Sequence, residues 1–356
     1  MTVKRGGSGH TFVTLREVAQ LAGVSIGTAS KALNRSGKLS DDTRQRVIAC
    51  ARQLGFQPNA LAHSLHRGQS FTVGAISNDS FGRFSMPIVE GLEECLTDSQ
   101  MSVFMCNATD DPEREARHVE SLLGKRVDGI VVTGRRADPR PRLDVHAFGL
   151  PVVYVFTQSD DPEALCLLPD DQGGAVLACA HLAALGRRRV AHVTGPERFE
   201  AVRLRRAGFH SALTSAGLAV DATKVLCGEW SEEWGRSALA PLFASVRRAP
   251  DAIFCGNDQI ARGVVDGLRE RGIGVPGDVA VVGFDNWLIL AEASRPPLTT
   301  VDMNLKQLGL EAGRRLIDLI AGKKHAGVHR LPCSLIVRDS CGALAPKPRR
   351  RRAAPA

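Results

Sequence analysis

Thr14-Leu15-Arg16-Glu17-Val18-Ala19-Gln20-Leu21-Ala22-Gly23-Val24-Ser25 holds a helix start, a helix face and a turn within twelve residues. Thr14 and Glu17 have the spacing of a capping box, in which the hydroxyl caps the helix and the carboxylate reaches back. Leu15, Val18, Ala19 and Ala22 follow at i, i+3, i+4 and i+7, one face of a short helix. Gly23 suits the tight turn that ends it. Ser25 then starts a second helix over 26–33, with Ala29 and Leu33 directed inward. After a polar loop, Ser40 caps a third helix on which Val47, Ile48, Ala51 and Leu54 share a face. Gly55 closes it.

Two short helices joined by a glycine turn and backed by a third describe an all-α helix-turn-helix domain. In that geometry the second helix enters the major groove, where Ile26, Gly27, Lys31 and Asn34 reach base edges. Thr14, Ser25, Thr28, Ser30 and Thr43 carry hydroxyls suited to phosphate oxygens, which fix register without reading sequence. The competing reading is an ordinary three-helix bundle with a solvated polar face. Charge alone does not separate the two, because many solvated faces are basic. Residues 1–69 hold ten Lys and Arg against Glu17, Asp41 and Asp42, and Lys347 and Arg349 to Arg352 crowd the other end of a chain with net charge +8. A basic head on a mildly acidic body points to a polyanion at one end only.

The run Pro58-Asn59-Ala60-Leu61-Ala62-His63-Ser64-Leu65 reads as an N-capped helix of barely two turns, too short to persist alone in water. Leu65 at its end has little core to enter. A leucine wedged between base pairs from the minor groove accounts for it.

From residue 70 onward, strand-length apolar runs at 72–77, 103–107, 129–133, 152–156, 190–194, 252–255 and 279–283 alternate with helical periods. Such alternation predicts parallel sheets covered on both faces. About 270 residues exceed one comfortable core, so two α/β lobes are expected. Ligands of open α/β sheets bind beyond the carboxyl ends of the strands. Asn78, Asn257, Asp258 and Asp285 lie just there, and Arg205 opens a helix after the loop from Gly195. Phe81, Phe84, Phe156, Trp230 and Trp287 gather near the same ends. Flat apolar faces with carboxylates, amides and an arginine suit a polyol or a sugar acid. The alternative is that Arg205 and Asp285 form structural ion pairs and the aromatics merely pack.

The stretch from Val13 to Ser25, the following Thr28-Ala29-Ser30-Lys31-Ala32-Leu33-Asn34 and the helix at 58–65 closely resemble the lactose-repressor (LacI) family. Asp170-Asp171-Gln172-Gly173-Gly174-Ala175, Val282-Gly283-Phe284-Asp285 and Pro297-Leu298-Thr299-Thr300 extend the likeness over roughly residues 13 to 340. The resemblance implies that Ile26, Gly27 and Lys31 select bases. It implies that paired hinge helices, with Asn59, Ala62 and Leu65 among their DNA contacts, order on an operator. For the body it implies a periplasmic-binding-protein-like core of two lobes crossed three times by the chain. Arg205, Asp285, Trp230 and Asn257 match effector-binding positions. Phe156 departs, because many relatives carry Asp there, and this favours a stacking, less polar surface. Lys31 stands where relatives often have Arg, and lacks its bidentate fork.

The expected organisation is a flexible N-terminus (1–12), a DNA-binding domain (13–57), a hinge helix and linker (58–69), an effector-binding and dimerisation core (70–340) and a basic disordered tail (341–356). The expected partners are pseudo-palindromic operator DNA, a sugar-like effector and a second copy of the chain. No catalytic residue, metal site or cofactor is expected. Nine cysteines lack CxxC spacing, which fits free thiols in a reducing cytoplasm. No apolar run is long enough to span a bilayer, and no secretory h-region follows the first residues. Gly23-Val24-Ser25-Ile26-Gly27 spells GxSxG, yet a helix precedes it rather than a strand. Gly272-Ile273-Gly274-Val275-Pro276-Gly277 spells GxGxxG, yet it precedes a strand. A transport receptor would lack the DNA-binding head, and an α/β enzyme would need a catalytic pair in its cleft.

Overall fold

The structure, a computed structural model, describes residues 13–34, 36–56, 69–80, 82–145, 148–245, 247 and 249–344. The hinge residues Asn59, Ala62 and Leu65, Phe81 and the tail from 345 lie outside them. The chain divides into two compact units between Ser70 and Phe71.

The first unit holds α1 (Leu15–Leu21), α2 (Ile26–Leu33) and α3 (Asp41–Leu54). Both hydrogen bonds of the capping box form: Glu17 N–H donates to Thr14 Oγ1 at 3.4 Å and Thr14 N–H to Glu17 Oε2 at 2.6 Å. Gly23 takes φ +65° between α1 and α2, and Gly55 takes φ +65° at the end of α3. Val18, Ala19, Ala22, Ala29, Ala32, Val47 and Ala51 form its core. Leu33, expected inside, is only half-buried. It packs against the edge of the core, in which Ala29 and Ala32 are fully buried.

The second unit contains two six-stranded sheets. The first joins β1 (Thr72–Ser77), β2 (Ser102–Asn107), β3 (Gly129–Thr133), β5 (Val152–Val155), β7 (Leu165–Pro169) and β13 (Val328–Leu331) in the order β13-β7-β5-β3-β1-β2. The second joins β8 (Val190–Thr194), β9 (Val225–Cys227), β10 (Ala252–Cys255), β11 (Ala280–Phe284), β12 (Thr299–Asp302) and β14 (Ser334–Ile336) in the order β14-β12-β11-β10-β8-β9. Every pair is parallel except β12 with β14. A separate short pair joins β4 (Pro139–Arg140) to β6 (Gln158–Ser159). Full burial of β3, β7, β8, β10 and β11 follows from helices on both faces, which is why these strands read as unbroken apolar runs.

Two layers of helices cover the sheets. The first lobe carries α4 (Ser85–Thr97) and α5 (Pro112–Gly124), and the second carries α6 (Asp171–Ala184), α7 (Glu200–Ser215), α8 (Glu232–Ser237), α9 (Leu239–Leu242), α10 (Asp258–Glu270) and α11 (Leu288–Ala291). The chain then returns through α12 (Leu305–Ile320), which packs on α4. That contact is so close that a β-carbon on Gly309 would overlap the Ile88 carbonyl, and one on Gly91 the Lys306 carbonyl. The chain passes between lobes three times: β7 to α6, β12 to α12, and β13 to β14. The ordered core runs past residue 340. Cys341 is buried, and Ser340 Oγ donates to the Val281 carbonyl at 2.6 Å.

Candidate DNA-reading surface and ligand cleft

On the first unit, Ile26 is 45% exposed, and Gly27, Lys31 and Asn34 are exposed beside it on α2. An isoleucine so open on a helix with a packed opposite face is available for apolar contact with a base edge. The Lys31 stem runs beside Gly37, where a β-carbon would meet its Cδ at 3.2 Å. The hydroxyls expected at phosphates also hold the helices together. Ser25 Oγ accepts from Thr28 N–H at 3.1 Å and pairs with Thr28 Oγ1 at 2.9 Å. Ser40 and Thr43 repeat this arrangement at 2.9 Å, Thr14 Oγ1 donates to Glu17 at 2.8 Å, and Asn34 Nδ2 donates to Ser30 Oγ at 3.3 Å. In each hydroxyl pair one proton donates within the pair, which leaves the other free for an outside acceptor.

In the second unit, strand order reverses between β1 and β3 and between β8 and β10, so crevices open at their carboxyl ends. The two crevices face a common cavity of about 310 Å³. Arg83, Phe84, Arg136, Asp138 and Phe156 line it from the first lobe. Phe199, Arg205, Trp230, Asn257, Gln259 and Asp285 line it from the second. Six of the seven expected positions therefore converge. Asn78 does not line the cavity: its Oδ1 accepts from Asp110 N–H at 3.3 Å, tying β1 to the loop before α5.

Arg205 is buried with its guanidinium edge on Asp171, Nε at 2.8 Å and Nη2 at 2.7 Å, while Nη1 donates to the Gly256 carbonyl. Its plane lies 3.7 Å from the Phe284 ring. Asp285 sits between two arginines, Arg83 on Oδ2 and Arg205 Nη1 at 3.7 Å from Oδ1. Burial raises the Asp285 carboxyl, and both arginines oppose that rise. Asp258, expected near the site, lies behind it, accepting from Thr300 Oγ1 at 2.6 Å and Trp287 N–H at 2.7 Å. Burial, aided by the Asp285 charge, pushes it up to about 8. Asn257 Oδ1 caps α10 by accepting from Ile260 N–H at 2.8 Å. Phe156 at φ 53° and Asp285 at φ 102° hold left-handed backbone that costs side-chain-bearing residues about 1–3 kcal/mol, and such strain gathers at ligand sites.

Arg83, Arg136, Asp138, Phe199 and Gln259 line the cavity without having been expected there. The strand-end rule, applied to the strand at 129–133, reaches Arg135 and Arg136. Arg83 had no comparable signal, since it sits inside a loop. It lies between the Phe84 and Trp287 rings, 4.6 and 4.2 Å from their centres. Other bridges between the lobes meet at the start of α7: Glu200 N–H donates to Asp138 at 2.9 Å, and its carboxylate accepts from Arg330 and Gln158 at 2.7 Å each. Among the described residues no helix is long and apolar enough to cross a membrane, and no cluster of metal-ligating side chains occurs.

A helix-turn-helix head followed by a two-lobed α/β core with a cleft at its strand ends defines a DNA-binding transcriptional regulator. A family model for bacterial regulatory proteins of the lacI family matches residues 14–59, and one for the periplasmic binding protein-like domain matches residues 179–341. The HTH-type transcriptional regulator DegA of Bacillus subtilis is 32% identical over 346 residues, 93% of this chain and 98% of that protein. The HTH-type transcriptional repressor PurR of Mannheimia succiniciproducens is 31% identical, covering 94% of this chain and all of that one. Among solved structures, the lac repressor dimer bound to operator and the anti-inducer ONPF superposes with a TM-score of 0.72 at 28% identity, over 93% of this chain and 99% of that one. The chain belongs to the lacI family of bacterial regulatory proteins.

Proposed function

We propose that this protein acts in the cytoplasm as a homodimeric repressor on a pseudo-palindromic operator, and that a small molecule in the cleft sets its grip on DNA. Each α2 reads one half-site through Ile26, Gly27, Lys31 and Asn34, with Thr14, Ser25, Thr28, Ser30 and Thr43 placed for phosphate contacts. The hinge run, with Asn59, Ala62 and Leu65, spans the minor groove between half-sites. Arg205, Trp230, Asn257, Asp285, Phe84 and Phe156 form the ligand site. The reading assigns no catalytic step.

The observation that carries this reading is the cavity shared by the two lobes, each lobe supplying its own polar and aromatic groups. A ligand touching both lobes binds the closed arrangement better than an open one. It shifts DNA affinity only by its differential affinity for the two states. The test is selection of duplexes from a random pool against genomic competitor, with and without metabolite extracts. Enrichment of a two-fold symmetric motif whose retention changes with extract is the expected result. No preference for any duplex under either condition overturns the reading.

A further inference from the structure

We propose that the cleft takes a small organic anion, a ring-bodied carboxylate or phosphate, with Arg136 as the residue that selects its charge. This rests on the cleft being the effector site, and it names the class of ligand.

Most hydrogen-bond acceptors around the cavity are taken, with one oxygen each of Asp285 and Asp138 left without a hydrogen bond. Asp285 faces Arg83 and Arg205, Gln259 Oε1 accepts from Arg83 Nη1 at 3.3 Å, and Asn257 Oδ1 caps α10. Asp138 gives one oxygen to Glu200 N–H. Several donors are not taken, although those of Arg205 and the terminal nitrogens of Arg83 are engaged. Arg136 is exposed to solvent and has no hydrogen-bond or ion-pair partner among the described residues, and its guanidinium lies over the Phe199 ring at 5.5 Å. Arg83 Nε is buried without a partner. The amide nitrogens of Asn257 and Gln259 add further donors, since only their oxygens are engaged.

A cavity lined by surplus N–H groups is satisfied by a group that only accepts, and ionised carboxylates and phosphates are such groups. A neutral polyol brings a donor with every acceptor. Its natural carboxylate partner, Asp285, has one oxygen bound to Arg83 and the other 3.7 Å from Arg205 Nη1. The body of the ligand follows from the walls. Phe84 and Phe156 form one ring pair at 5.0 Å on the first lobe, and Phe199 and Trp230 another at 6.4 Å on the second. Two aromatic faces from opposite lobes suit a flat ring between them.

The test uses two matched series at fixed ionic strength: glucose, glucuronate and glucose 6-phosphate, then benzyl alcohol, benzoate and phenyl phosphate. Melting temperature and tryptophan emission are followed for the full chain, Arg136→Gln, Arg136→Lys and Trp230→Phe. At least one anion is expected to bind about tenfold or more tightly than its neutral partner, the effect of one charge-assisted hydrogen bond. That preference should vanish in Arg136→Gln and partly return in Arg136→Lys, and the emission change should be lost in Trp230→Phe. The carboxylate and phosphate arms decide between the two anions. A neutral member binding as well as its anions, or an anion whose affinity is unchanged in Arg136→Gln, overturns the proposal while leaving the cleft as the effector site. Silence of both series in melting and emission overturns both together.

Discussion

Arg83, in the loop after β1, ion-pairs with Asp285, in the loop after β11, so a guanidinium of one lobe is held by a carboxylate of the other. The pair is largely buried, and the flanking Phe84 and Trp287 rings keep water from it. It acts as a clasp across the cleft. Arg83→Ala should cost about 3 kcal/mol, because the remaining carboxylate stays buried with a single distant arginine. In a double-mutant cycle with Asp285→Asn, urea unfolding should give a coupling of at least about 1 kcal/mol. Additive losses would show that the two side chains do not act as a pair.

Arg205 carries a structural load besides facing the cavity. Its contacts with Asp171 mean that Arg205→Ala strands a fully buried carboxylate, at a cost of about 3–5 kcal/mol. Adding Asp171→Asn should recover most of that loss. Below its lowered melting point, the single variant should still bind operator but no longer respond to effector. Normal release of DNA by effector would remove Arg205 from the ligand site.

Asp258 gives the core a pH dependence of definite sign. Its folded value of about 8 stands above the ordinary 3.8, so the folded protein keeps a proton that the unfolded chain gives up. Stability from this group is therefore full at low pH and falls as pH rises from 3.8 to about 8. Asp258→Asn keeps an acceptor for Trp287 N–H and should flatten that part of the urea midpoint profile. An unchanged slope would mean that Asp258 is already ionised when folded.

Ser25 combines two tasks that one substitution separates. Aspartate caps helices as well as serine and suits the N-terminal end of the helix dipole. Ser25→Asp should thus leave thermal stability within about 0.5 kcal/mol of the parent. Its charge would face phosphates, so DNA affinity should fall about tenfold or more at low salt, with the gap narrowing as salt screens it. Retained affinity would leave Ser25 as a cap alone.

Leu65 provides a test of the hinge that depends on sequence alone. Leu65→Ala should weaken operator binding more than binding to random duplex, since a wedge acts only where the groove opens. Equal losses on both DNAs would reject intercalation.

The head was legible from its sequence because its signals are local. Thr14 with Glu17, Ser25, Ser40 and Gly55 each act within four residues, and all sit where helices start or end. Only the full burial of Ala32 beside the half-buried Leu33 needed tertiary packing. In the core, the long buried strands were legible, but β7, β9, β12, β13 and β14 were not. Leu165–Pro169 is fully buried and as long as β3, yet it closes on a proline, which weakens a strand reading. The edge strands Val328–Leu331 and Ser334–Ile336 are only partly buried, and the apolar residues of Val328–Leu331 do not alternate with polar ones. At the cleft, Arg205, Trp230, Asn257 and Asp285 followed from strand ends and resemblance. Arg83 did not, because its partner lies 202 residues away and no local pattern links them.

The third passage of the chain between lobes has a consequence for biosynthesis. The first sheet is finished only by Val328–Leu331 and the second by Ser334–Ile336. A ribosome releases the chain from its amino end at about 5–20 residues per second. The small three-helix unit thus emerges with its core complete, while neither lobe can close its sheet until residues 328–336 have been made. Messages cut short after the first unit and before that point encode a finished DNA reader attached to an unfinished sensor.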